Sequence, residues 1–120
     1  MYSYAIGTIL IRPKGPLTHV GVVTESGTVF HNTPERGEHE SSLEEFAAGG
    51  PVTVRSRVTD LPAFLHRLRQ RRFNLRPYDA FSNNCEHTVT ALAGEEPSSP
   101  QLQGWGLLAG MAVFAAVLTR

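Results

Sequence analysis

Apolar and polar positions follow two periods along this chain, and the switch between them sets the order of its elements. Tyr4–Arg12 reads as a strand, ended by the Pro13-Lys14-Gly15-Pro16 turn, since proline lacks the N–H a ladder needs and glycine tolerates turn dihedrals. His19–Thr24 predicts a second strand, Glu25-Ser26-Gly27 a hairpin loop, and Thr28–His31 a third strand. Alternation places His19, Gly21 and Val23 on one face and Val20 and Val22 on the other, with His31 sharing a face with Val29. If the hairpin closes near Ser26, His19 and His31 fall on neighbouring strands, one or two residues out of direct register and within reach of each other. Asn32–Gly37 reads as a loop. Ser41 or Ser42 then caps a short helix, Leu43–Ala48, which Gly49-Gly50-Pro51 closes, and Val52–Val58 alternates as a fourth strand with Arg55 and Arg57 outward.

Beyond Thr59 the period becomes helical. Asp60 caps a helix with Pro62 in its first turn, and Leu61, Phe64, Leu65, Leu68 and Arg72 follow the period, the apolar members forming a stripe. The opposite side carries His66, Arg67, Arg69 and Arg71, which reads as a solvated face or, in a membrane-attached chain, as a contact for anionic lipid headgroups. A last amphipathic helix runs from Asn84 through Val89 and Leu92 to a stop near Gly94, with Asn83 as N-cap and Glu86 at N3 in the reciprocal capping pattern. The expected fold is α+β, a small antiparallel sheet packed against helices, occupying residues 1–94.

Residues 95–101 form a polar, proline-containing linker, and 102–120 a hydrophobic segment. Leu102–Leu118 is free of charge, and as a helix its 17 residues would reach about 25 Å against roughly 30 Å of hydrocarbon. We expect a C-terminal hydrophobic helix that anchors the chain in a membrane, the alternative being a helix buried in the domain or in a dimer. Gly106 and Gly110 make a small-xxx-small pair that would support a helix-mediated homodimer.

Composition narrows the classes. At 120 residues there is room for one ordinary domain, and the 11 basic and 11 acidic side chains offer no general argument for a nucleic-acid partner. The single cysteine rules out an intramolecular disulfide and fits a reducing compartment, and the first residues lack a secretory pattern.

That cysteine is Cys85, in Asn83-Asn84-Cys85-Glu86-His87, within the first turn of the last helix. There the unpaired N–H groups and the macrodipole favour a thiolate. A lone cysteine is more often an inert, buried small hydrophobe. His87, two residues on, lies on a different helical face and is a poor base for Cys85, so it is expected to make structural contacts. The base would come from His19 or His31 on the sheet, a cysteine–histidine arrangement of the papain kind in reversed chain order. The backbone N–H of Cys85 would donate to an oxyanion, with Asn83 or Asn84 assisting. A zinc site would use His19, His31, Cys85 and His87, but their spacing matches no standard zinc pattern.

Together His19-Val-Gly-Val-Val, Gly27-Thr-Val-Phe-His31 and Asn84-Cys85-Glu86-His87 resemble the lecithin retinol acyltransferase-like family, which includes the H-Ras-like suppressor phospholipases and acyltransferases and belongs with the circularly permuted papain-like enzymes. The similarity covers roughly Gly7–Leu92. It implies a permuted papain-like fold, Cys85 as nucleophile, His19 as general base and His31 as the residue orienting the imidazole. Members of that family often carry a C-terminal hydrophobic anchor as well. With the basic helix, such an anchor makes a phospholipid or other acyl-bearing substrate the expected one, and we expect no cofactor and a membrane-associated protein with its catalytic domain on the cytoplasmic side. Two positions depart from the family pattern. Val20 stands where an aromatic usually follows the first histidine, and Thr88 where a phenylalanine follows Asn-Cys-Glu-His. A peptide or isopeptide substrate, or a non-catalytic membrane-tethered binding module, are the alternatives.

Overall fold

A computed structural model describes residues 4–94, and Leu102–Leu118 and the linker lie outside the described residues. In chain order come β1 (Thr8–Lys14), β2 (Leu17–Val23), β3 (Val29–Thr33), β4 (Gly37–Ser41), α1 (Leu43–Ala47), β5 (Thr53–Arg57), α2 (Leu61–Phe73) and α3 (Cys85–Ala93). The strands form a five-stranded antiparallel sheet in the order β4-β3-β2-β1-β5. Among the described residues no helix is long and apolar enough to cross a membrane.

The first hairpin is tighter than its prolines predict. β1 runs on to Lys14, and the turn is Gly15-Pro16 alone, with Gly15 at φ 58°. Pro13 is accepted into the strand because β5 pairs with β1 only as far as Ile11, leaving nothing beyond it that requires the missing N–H. The larger correction is β4. The expected loop Asn32–Gly37 shrinks to a turn over 34–36: β3 continues through Asn32 and Thr33, and Gly37-Glu-His-Glu-Ser41 pairs with it throughout. This strand has no apolar residue, so no hydrophobic alternation announces it.

The two faces of the sheet bury different clusters. Ile9, Val20, Val22 and Phe30 meet Phe64 and Leu68 of α2 and Val89 and Leu92 of α3. On the other face Leu10, Val23 and Val29 meet Phe46 of α1. The expected split of β2, with Gly21 and Val23 on one side and Val20 and Val22 on the other, holds. Gly21 is needed there, since a Cβ would stand 2.5 Å from Val29 Cγ1 and 2.7 Å from the Phe46 ring. β5 forms the exposed edge, where a bulge between Ile9 and Leu10 of β1 leaves Arg55 as its extra residue.

The arginine run of α2 is not simply a solvated face. Arg71 makes a bidentate pair with buried Glu38, both bonds 2.8 Å, and Arg72 bridges Glu40 and Glu25. Arg67 reaches the Leu92 carbonyl at the end of α3. Arg69 and Arg76 form no ion pair among the described residues. Polar β4 is thus stitched to α2 by charge where a hydrophobic contact is missing.

Candidate active site

The geometry starts from the β2–β3 register. Gly21 pairs with His31, so His19 lies diagonally two residues away on the same face. There His19 Nε2 and His31 Nδ1 are 2.8 Å apart. Both rings rest on Phe46, His19 stacked at 5.3 Å and His31 edge-on at 5.3 Å. On its far side His31 Nε2 meets Ser41 Oγ at 2.8 Å, and its ring lies 4.2 Å from that of His39. Both histidines are almost wholly buried.

Cys85 approaches from a seam. β2 and β3 part after Gly21↔His31, while β3 stays paired with β4 to Thr33. Pairs in an antiparallel ladder alternate, and the two-residue Gly15-Pro16 turn makes Lys14↔Leu17 a bonded pair, as are Arg12↔His19 and Leu10↔Gly21. The backbone of Val20 therefore faces β3, where no partner strand receives it. Its N–H turns to the Cys85 sulfur instead. The thiol is thus seated beside the residue next to His19.

The start of α3 differs by one residue from the sequence pattern. The N-cap is Asn84, whose Oδ1 accepts from Glu86 N at 3.0 Å and His87 N at 3.1 Å. His87 occupies N3 and returns the bond, its Nδ1 accepting from Asn84 N at 3.2 Å. Asn83 is unavailable because it pairs with Asp79 through both backbone groups and donates its amide to Pro77 O. Cys85 accordingly sits at N1, where its own N–H has no acceptor within the helix. Glu86 does not close the capping box. Its buried carboxylate lies 3.7 Å from Arg55, the bulge residue.

These commitments sort the expected site residues. His19 and His31 meet on the Phe46 face of the sheet, and Cys85, packed with the cluster of the other face, reaches the β2–β3 seam at the backbone of Val20. Asn83 and Asn84 do not serve as side-chain oxyanion donors, for both amides are spent on carbonyls, that of Asn84 on Ala80 O at 3.1 Å. The Cys85 N–H is the donor left. His87 supports the cap. A zinc site is poorly served, since both His31 nitrogens face partners and His87 Nδ1 is taken by Asn84. Among the described residues no group of three His, Cys, Asp or Glu is placed to hold a metal ion.

Protonation also departs from expectation. Burial pushes the Cys85 thiol up from its ordinary value, outweighing the Val20 N–H that favours the thiolate. Burial likewise pushes His19 down to about 2 and His31 down to about 3, aided by nearby cationic groups. Burial thus favours the neutral form of the Cys85 thiol and of both imidazoles.

Three residues that position the start of α3 carry little sequence signal. Asn32 donates to Asn83 O at 2.6 Å and Thr88 Oγ1 at 3.1 Å, and Thr88 donates to Glu38 Oε2 at 2.8 Å. Glu38 also accepts from Arg76 N at 2.9 Å. The polar Thr88, fully buried, thus has a buried carboxylate to match it. The one legible hint is Asn32 directly after His31, with Glu38 further along the same hydrophilic stretch. No protein-family model matches the chain, and a search of curated proteins found no match.

Proposed function

We propose that this chain is a cysteine-dependent acyl-transfer enzyme of the lecithin retinol acyltransferase-like, permuted papain-like type. The observation that supports the reading is a helix-N1 cysteine held by the N–H of Val20, next in the chain to His19, which is itself one of a buried histidine pair 2.8 Å apart. His19 takes the proton of the Cys85 thiol as the sulfur attacks an ester or amide carbonyl. The new S–C bond forms, and the Cys85 N–H stabilises the oxyanion. The bond to the leaving alcohol or amine then breaks, and that group receives the proton from His19. Water or an amine, deprotonated by His19, attacks the thioester, and the S–C bond breaks to regenerate the thiol. Burial keeps His19 unprotonated and so free to accept, but the same burial lowers its basicity and raises the thiol, so this transfer needs the incoming substrate to change the site's surroundings.

A phospholipid is the substrate class we favour, met at a membrane to which Leu102–Leu118 attaches the chain from the cytoplasmic side. The end of α2 supports this, with Phe73 84% and Leu75 52% exposed beside the unpaired Arg69 and Arg76. The test incubates the full chain with anionic phospholipid vesicles, pellets them, and analyses the protein by mass spectrometry. The expected result is co-pelleting and an acyl mass on Cys85, absent in Cys85→Ser. An adduct formed only from peptide esters would move the substrate to the peptide class. A Cys85 that stays unmodified with every acyl donor would sink the enzyme reading in favour of a binding module.

A further inference from the structure

The hydrogen bonds behind His19 continue past His31, and they have a direction. Ser41 Oγ lies 3.0 Å from the carbonyl oxygen of Ser42, the N-cap of α1. A carbonyl only accepts, so the single hydroxyl hydrogen of Ser41 belongs to that bond. Ser41 Oγ then has only lone pairs for His31 Nε2, 2.8 Å away, and His31 must carry its proton on Nε2. His31 Nδ1 is bare and must accept from His19 Nε2–H. The bare nitrogen of His19 is therefore Nδ1. Reversing the chain would take the hydroxyl hydrogen from Ser42 and leave His19 with N–H on Nδ1, no base at that atom.

We propose that Ser41 is a positioning residue, whose hydroxyl, anchored on the Ser42 carbonyl, fixes the tautomers of His31 and His19 so that the basic lone pair falls on His19 Nδ1. The proposal rests on the reading of His19 as the base for Cys85. It adds a role for β4 beyond its ion pairs to α2: the strand carries Ser41 at its end and is held against β3 through His31↔His39 and Val29↔Ser41. His39 does not compete for His31, because its Nδ1 is directed at Gly37 O at 2.7 Å. Phe46, on the helix that Ser42 caps, packs against both rings, which stand at 70° to one another.

The test reads the tautomers directly. In uniformly ¹⁵N-labelled full chain at pH 7, long-range ¹H–¹⁵N spectra should show the Nε2–H form for both His19 and His31. In Ser41→Ala that pattern should be lost at His31, with kcat for acyl transfer down about 10- to 100-fold and KM little changed. Ser41→Thr, which keeps the hydroxyl, should restore both. An Nδ1–H form at either histidine of the unsubstituted chain would overturn the relay, and this needs no variant to fold. Tautomers unchanged in a folded Ser41→Ala would also overturn it. The predicted tautomers in a protein that transfers no acyl group would uphold the relay and remove the enzyme reading.

Discussion

The histidine pair shows how much a single residue's surroundings decide. His19 and His31 have ordinary imidazoles, yet burial, the facing histidine and the nearby Arg12 hold them at about 2 and about 3. The unfolded chain titrates near 6.5. Between that value and the native ones it binds protons that the folded state refuses, so stability is full above pH 6.5 and lost as pH falls below it. Each histidine contributes a slope of about 1.4 kcal/mol per pH unit in that window. Urea unfolding from pH 7 to pH 5 should show a falling midpoint, and His19→Gln should reduce the slope by about one proton. A midpoint independent of pH over that range would contradict neutral burial.

At the scale of elements, α3 is the piece on which the site turns. Its amphipathic stripe and its Gly94 stop, in the left-handed region at φ 86°, were readable from the chain, and so was a cysteine in the first turn. Its cap was misread by one residue. Asn83 and Asn84 are equally good caps by type, and only the Asp79–Asn83 bridge, closed by tertiary packing, assigns the role to the second. Asn84→Ala should cost about 1 kcal/mol in chemical denaturation. It should lower kcat by more than that loss of stability accounts for, since the cap also sets where Cys85 begins the helix. β4 is the opposite case. Its Glu-His-Glu core has no hydrophobic period, so its strand state follows from partners supplied by β3 and α2.

Across the whole molecule, Glu38 is the junction that ties β4 to α2 and α3 and so sets how α3 sits on the sheet. Burial alone would raise its pKa, but Arg71, Thr88 and the Arg76 N–H together hold it below the ordinary carboxylate range. Its contribution is present above pH 4.5 and is lost as pH falls through the lowered native value. Arg71→Ala leaves a carboxylate of zero side-chain exposure without its counter-charge, and the expected loss is about 3–5 kcal/mol, measured by thermal or urea unfolding. A loss under 1 kcal/mol would mean that the pair is not what closes the β4 side.

The sequence by itself determined what depends on near neighbours along the chain. Hairpin alternation put His19 and His31 on neighbouring strands within reach of each other, the Gly21↔His31 register then setting their common face; the helical stripe of Leu61, Phe64, Leu65 and Leu68 made α2, and a capping residue ahead of Cys85 put that cysteine in a first turn. Strand period, helix period and capping are all satisfied within a few residues, so they can be read without the fold. Tertiary structure alone decided the rest: the parting of β2 from β3 that admits Cys85, the neutral state of both imidazoles, the ion pairs of Arg71 and Arg72, and the Ser41–His31–His19 line. The ion pairs join groups more than thirty residues apart, and the imidazole protonation follows from burial that only the assembled core supplies.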